Sequence, residues 1–420
     1  MKCEKSLLLF SVVVILCGAM AATFAQAQSS AQMPRLQAKH TVKPAHTQIN
    51  AAAATSAGPA AAATPGLPLW TFNVESNRDG NEYTGVMVGT SPFDEGSGQT
   101  SVATQVLPIV IRTHTVGTAV NAKGIIATTP GNTTFNPTQS DRACLGSRRN
   151  NPFQLFLQSP LVQSADFNYG GTDVGTTQAT DAFQRANFWR VINRESYHVT
   201  LGPITPFDPI VIDIPAASGL ALATTSLGPP AFCAPMGIID INLFDLVLNN
   251  NILPALAARG VNHGTFPIFF LHNVVMSIGD PTNLGNCCVL GYHGTGTGNA
   301  DPTQTYSPLD FDSTGLFGVS GLDTAVASHE IGEWMNDPFG NNPTPPWGHT
   351  GQVGACQNNL EVGDPLTGTE APRIAMPNGF TYHLQELAFF SWFYNSHSVG
   401  VNGWFSDNGT FLRDAGPPCK

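Results

Sequence analysis

Charge is scarce in this sequence, and positive charge is scarcest. Only 11% of the 420 residues are charged, against about a quarter in ordinary globular domains. Lys and Arg number 18 against 29 Asp and Glu, for a net charge of −11. Beyond residue 66 the only lysines are Lys123 and Lys420. With no basic cluster, nucleic acid and anionic lipid are not expected as partners. After the N-terminal segment no apolar run is long enough to span a bilayer, so no membrane span is expected. No CxxC pair is present, which removes a thiolate zinc site. A GxSxG elbow and a Walker loop are missing too. The Gly294–Gly298 stretch (GTGTG) is glycine-rich, but it lacks the strand and helix that would frame a nucleotide site.

What the chain has in quantity is glycine and proline, 42 and 32 residues, which implies many turns and loops. The start, Met1-Lys2-Cys3-Glu4-Lys5, is net basic, Ser6 to Met20 is almost wholly apolar, and Ala25-Gln26-Ala27 has the small-x-small form of a cleavage site. Residues 1–27 therefore read as a secretory signal peptide, and the protein as secreted or periplasmic. Residues 28–66, rich in Ala, Pro, Thr and Gln, cannot bury enough apolar surface to offset their chain entropy and read as a disordered linker. The remainder divides into an N-terminal β-rich part, 67–180, and a metal-binding part, 181–420, as two domains or one continuous one. Cys144, Cys233, Cys287, Cys288, Cys356 and Cys419 come after the signal. Their even number in an exported chain suggests up to three disulfides, with the adjacent Cys287 and Cys288 expected to bond elsewhere rather than to each other.

Short strands are expected at Leu69–Val74, Tyr83–Val88, Val106–Ile111, Pro209–Ile214 and Cys288–His293, with Pro108 suggesting an edge or a strand start. The apolar run Pro267–Met276 reads as a buried strand. Helices are expected at Phe153–Leu161, Asp181–Glu195 and Ile238–Ala258, the last kinked or divided by Pro254. The alternation predicts a mixed α/β (α+β) fold, loop-rich and disulfide-stabilised, with a helix packed on a sheet.

That helix carries the chemistry. Ser328-His329-Glu330-Ile331-Gly332-Glu333-Trp334-Met335-Asn336-Asp337-Pro338 places His329 and Glu333 at i and i+4, one turn apart on one face. This is the spacing of the HExxH zinc helix with its second His replaced by Glu. Eleven His in the chain make the pattern improbable by composition, about 0.006 occurrences. Ser320 and Asp323 read as a capping-box variant, Pro338 ends the helix, and Gly332 implies close approach of a neighbouring segment. A catalytic zinc takes about three protein ligands and an open position. His329 and Glu333 are two. Glu361 is the expected third, with Asp364 orienting a ligand or meeting substrate. His293 is a donor to substrate or to a ligand, and His349 is a less favoured competitor. Glu330 is the expected base. Zinc is the expected metal, although the carboxylate in place of His makes a harder divalent ion plausible.

The order of these elements resembles a known group. Gly291-Tyr292-His293-Gly294 after Cys288, then the His329–Glu333 helix ending in Asp337-Pro338, then Glu361-Val362-Gly363-Asp364, is similar to secreted zincin-like proteins of microbes and to plant phosphate-induced (EXORDIUM-like) proteins. The likeness spans about Phe266 to Pro365. It implies a zincin-like mixed sheet with an active-site helix, His329, Glu333 and Glu361 as metal ligands and Glu330 as base. The expected function is an exported metal-dependent hydrolase acting on peptides. The alternative is a non-catalytic envelope or cell-wall protein on the same scaffold.

Overall fold

Strand β3, Gln99–Val120, is the spine of the main sheet. Its buried run is Thr104–Ile111. The computed structural model describes residues 66–94, 98–147, 150–348, 356–371, 373–411 and 419. The expected signal peptide and nearly all of the expected linker lie outside them, as does His349.

An antiparallel hairpin, β1 (Leu69–Glu75) and β2 (Glu82–Val88), precedes β3. Downstream come β4 (Ile126–Phe135), the hairpin β5 (Ala165–Tyr169) and β6 (Thr172–Thr177), then β7 (His198–Pro206), β8 (Ile210–Asp213), β9 (Gly219–Leu222) and β10 (Met236–Asp240). The last of the sheet are β11 (Phe266–His272), β12 (Val274–Ser277), β13 (Cys287–Val289), β14 (Gly294–Thr295) and β15 (Thr305–Phe311). The strand order is β13-β12-β10-β9-β3-β11-β15-β14, with β4, β7 and β8 also pairing β3. β3 runs parallel to β7, β8, β9 and β11, and β11 parallel to β15, whereas β4 is antiparallel to β3. The fold is mixed α/β, with few helices. β3 comes from the expected N-terminal part and pairs with strands of the expected metal-binding part, so one sheet serves both.

Pro108 is not at an edge. It sits mid-strand opposite Phe270 of β11, and on the other flank β3 changes partner there, from β7 at Val106 to β8 at Ile109. A residue without an N–H is tolerated at such a seam. The apolar run Pro267–Met276 is two strands, β11 and β12, broken at Asn273 in the left-handed region (φ 53°). Every residue of both strands is buried, as parallel strands covered on both faces require. The helix expected from Ile238 begins at Ile241, because Met236–Asp240 is a strand; it then runs as a π-turn over Leu248–Ile252 before Pro254.

Cys144 bonds Cys233 and Cys356 bonds Cys419. Contrary to expectation, Cys287 and Cys288 bond each other: both are buried on β13, facing no other cysteine. Disulfides suit an oxidising compartment. Among the described residues no helix is long and apolar enough to cross a membrane.

Candidate metal centre

The site helix spans Ala325–Asn336, and all twelve residues are buried. It begins after the expected cap: Ser320 belongs to a short 3-10 turn, and Asp323 instead accepts from the Thr324 and His383 N–H groups. The helix packs on β15, β2 and the helix Ala179–Asn187. Trp334 stacks on Phe266 at 3.7 Å and donates its indole N–H to Thr305 Oγ1 at 3.0 Å. An amphipathic surface helix is thereby excluded: this one is enclosed on every side. At Gly332 a Cβ would lie 2.5 Å from Leu387 Cδ1, the close approach that its sequence position suggested.

His329 Nε2 lies 3.1 Å from Glu333 Oε1, 3.5 Å from Asp364 Oδ1 and 4.0 Å from Glu330 Oε1. Its other nitrogen, Nδ1, meets Gln385 Oε1 at 3.0 Å, while Gln385 Nε2 donates to the Gly363 carbonyl at 2.7 Å. The second bond fixes the amide so that its oxygen faces the ring. Nδ1 then carries a proton and Nε2 is the nitrogen turned toward the carboxylates, the arrangement that orients a metal-binding imidazole. The loop Leu360–Leu366 closes over this face. The Gly363 and Asp364 N–H groups donate to Glu333 Oε1 at 3.1 and 3.2 Å. Gly363 has to be glycine for space, since a Cβ there would stand 2.4 Å from His329 Nδ1.

His293 approaches from the segment after β13. Its Nδ1 is 3.5 Å from Glu330 Oε2 and 3.7 Å from Glu333 Oε2, and its Nε2 is 3.0 Å from the Asp337 carbonyl oxygen. Glu361 takes the Asn359 amide on Oε1. Its Oε2 is buried 3.9 Å from His293 Nε2, with no hydrogen-bond partner among the described residues. The candidate ligand atoms thus fall into two groups, His329 with Glu333 and Asp364, and His293 with Glu330 and Glu333. Asp364, rather than Glu361, stands beside His329 and Glu333; Glu361 lies beside His293.

Two imidazoles and five carboxylates (Glu330, Glu333, Asp337, Glu361, Asp364) are therefore buried together, none more than 1% exposed. Burial lifts Glu361 well above the usual carboxylate range, and repulsion from Glu333, Asp337, Asp364 and Glu330 adds to it. Glu333 is pushed up to about 6, by burial first and by Asp364 and Glu330, against the pull of His329. Asp337 also rises to about 6, chiefly through burial. Burial depresses the His329 imidazolium, but Glu333 and Asp364 outweigh it and hold the ring well above its ordinary value. A set of acids this deep requires bound protons or a cation. The orphaned Glu361 oxygen, the cradle at Gly363 and the oriented His329 all fit a divalent ion, and these buried groups could hold one.

Sequence reasoning missed Gln385 and the Asp337 carbonyl. Nothing near Gln385 marks it, and only the fold brings it to His329. No family model matches the chain, and neither the curated proteins nor the solved structures contain a match.

Proposed function

We propose that this chain is an exported metal-dependent hydrolase, a zincin-like peptidase built on the HExxE helix. The observation that carries the reading is His329. Its Nδ1 is spoken for by Gln385, and its Nε2 is directed at Glu333 and Asp364 with Glu330 alongside. A mixed sheet with this helix packed against β15 supports the zincin-like part. His329, Glu333 and Asp364 would hold the metal, zinc by the likeness of the motif, with the Glu361 carboxylate adjacent. When bound, the metal would polarise a peptide carbonyl and acidify a water. Glu330 would take the proton from that water and return it to the leaving amine. The Glu361 oxygen would hold the approaching groups in place.

Complete burial favours a second reading. Glu330 is 0% exposed, and the cleft lined by Ser328, Gln385, Leu387 and Asp407 includes none of the candidate ligands. Peptide can reach Glu330 only if covering segments part. If they do not, the chain is a non-catalytic secreted protein in which the metal stabilises the fold. Glu330→Gln separates the two. The hydrolase reading expects it to retain the metal held by His329, Glu333 and Asp364 and to lose chelator-sensitive cleavage of a peptide library. Absence of any such cleavage by the metal-loaded wild type would leave the second reading.

A further inference from the structure

We infer that the buried cluster is built for two divalent cations, one beside His329 and one beside His293, with Glu330 and Glu333 each shared between them. The inference rests on the metal centre of the preceding reading and not on its chemistry.

The carboxylates are arranged oxygen by oxygen. Glu333 presents Oε1 to His329 Nε2 at 3.1 Å and Oε2 to His293 Nδ1 at 3.7 Å. Glu330 does the same, with Oε1 4.0 Å from His329 Nε2 and Oε2 3.5 Å from His293 Nδ1. Two ligands about 2.1 Å from one cation stand about 3.0–3.4 Å apart at ordinary coordination angles. The 3.1 and 3.5 Å spacings round His329 fall close to that range, and the spacings round His293 lie only slightly beyond it. A glutamate with one oxygen turned to each imidazole is the donor pattern of a carboxylate bridge.

His293 supplies the independent argument. A backbone carbonyl only accepts, so the contact of Nε2 with the Asp337 oxygen requires a hydrogen on Nε2. Nδ1 is then the nitrogen turned to two carboxylate oxygens in a fully buried site, the nitrogen through which a ring anchored at Nε2 would bind a cation. The same device, an acceptor on the far nitrogen, orients His329 through Gln385. The two imidazoles fall in different donor groups, with Glu333 common to both. A mixed nitrogen and oxygen donor set suits zinc, manganese or iron(II) rather than a soft ion. A cation in the second position would also occupy Glu330, so hydrolysis should peak near one equivalent and fall as the second binds.

The test is metal stoichiometry on the full chain. Wild type is stripped with chelator, dialysed against zinc alone and, separately, manganese alone, desalted, and assayed by plasma mass spectrometry, with far-UV circular dichroism to verify the fold. Two equivalents per chain are expected, falling to one in His293→Ala with the tighter equivalent retained. Asp364→Asn should weaken the other, tighter equivalent. One equivalent in wild type would overturn the two-cation inference while leaving the centre at His329 standing. None would remove both. Two equivalents that survive unchanged in His293→Ala would place the second ion elsewhere and also overturn the inference. The wild-type count needs no variant to fold.

Discussion

Gly363→Ala tests the cradle around His329 with a single methyl group. Gly363 has φ −84° and ψ −37°, a conformation open to alanine, so the backbone imposes no penalty. Its N–H bond to Glu333 Oε1 is also available to alanine. The whole effect is steric. The new Cβ would stand 2.4 Å from His329 Nδ1, 2.5 Å from Cγ and 2.6 Å from Cε1. Ordinary contact is about 3.5 Å, so the ring or the loop must move by about 1 Å. The ring is rigid and enclosed, and the loop that would retreat carries Asp364. Overpacking of this kind costs about 1–3 kcal/mol of stability. A displaced ligand and the disturbed bond to Gln385 should cost about 10–100-fold in metal affinity, or about 1.4–2.8 kcal/mol. Competition with a fluorescent zinc chelator measures the affinity, and urea unfolding of the metal-free chain measures the stability. Gly332→Ala is the control. Its Cβ meets a Leu387 methyl, the far end of a flexible side chain, at 2.5 Å and gains helix propensity of about 1 kcal/mol, so metal affinity should not change. Unchanged zinc affinity in a folded Gly363→Ala would refute the assignment of His329 as a ligand.

Gln385→Leu removes the acceptor on His329 Nδ1 and the bond to the Gly363 carbonyl, and zinc affinity should fall about 10–100-fold; Gln385→Glu, which keeps the acceptor, should lose less in the same competition assay. Asp312 is buried and pushed up to about 6, with burial the main cause. An acid raised in the folded state binds more protons folded than unfolded, so its contribution to stability falls as pH rises from about 4 to 6 and is flat above. By linkage the loss is on the order of 3 kcal/mol. Asp312→Asn keeps an oxygen for Thr314 and should flatten that part of the urea-stability profile between about pH 4.5 and 7; an unchanged slope would show that Asp312 is not its source.

The site helix was legible because its information is local. The i, i+4 spacing of His329 and Glu333, with Pro338 behind them, needs no tertiary knowledge, and the helix ends at Asn336 as the proline requires. The choice between Glu361 and Asp364 was not legible. Both lie on one tight loop, and a 3-10 turn at Asp364–Leu366 decides which of them faces His329. His293 was marked by its neighbours Gly291, Tyr292 and Gly294, but its partner, the Asp337 carbonyl, is a backbone atom with no sequence signature. Gln385 lies 56 residues from His329 and belongs to no periodic element. For the fold, buried runs such as Phe266–His272 announced themselves, whereas the place of Pro108 depended on a change of strand partner that only the whole sheet reveals. The Cys287–Cys288 bond was missed because adjacency argued for separate partners, and the fold supplies none.

Glu333 is common to both donor groups, so its removal addresses the central claim most directly. The decisive measurement is the divalent metal content of the full chain as purified, wild type beside Glu333→Ala, with circular dichroism to show that both are folded. The account predicts at least about one equivalent in wild type and almost none in the variant. A folded Glu333→Ala that carries as much metal as wild type, or a wild type that takes up none even from excess zinc, would contradict it.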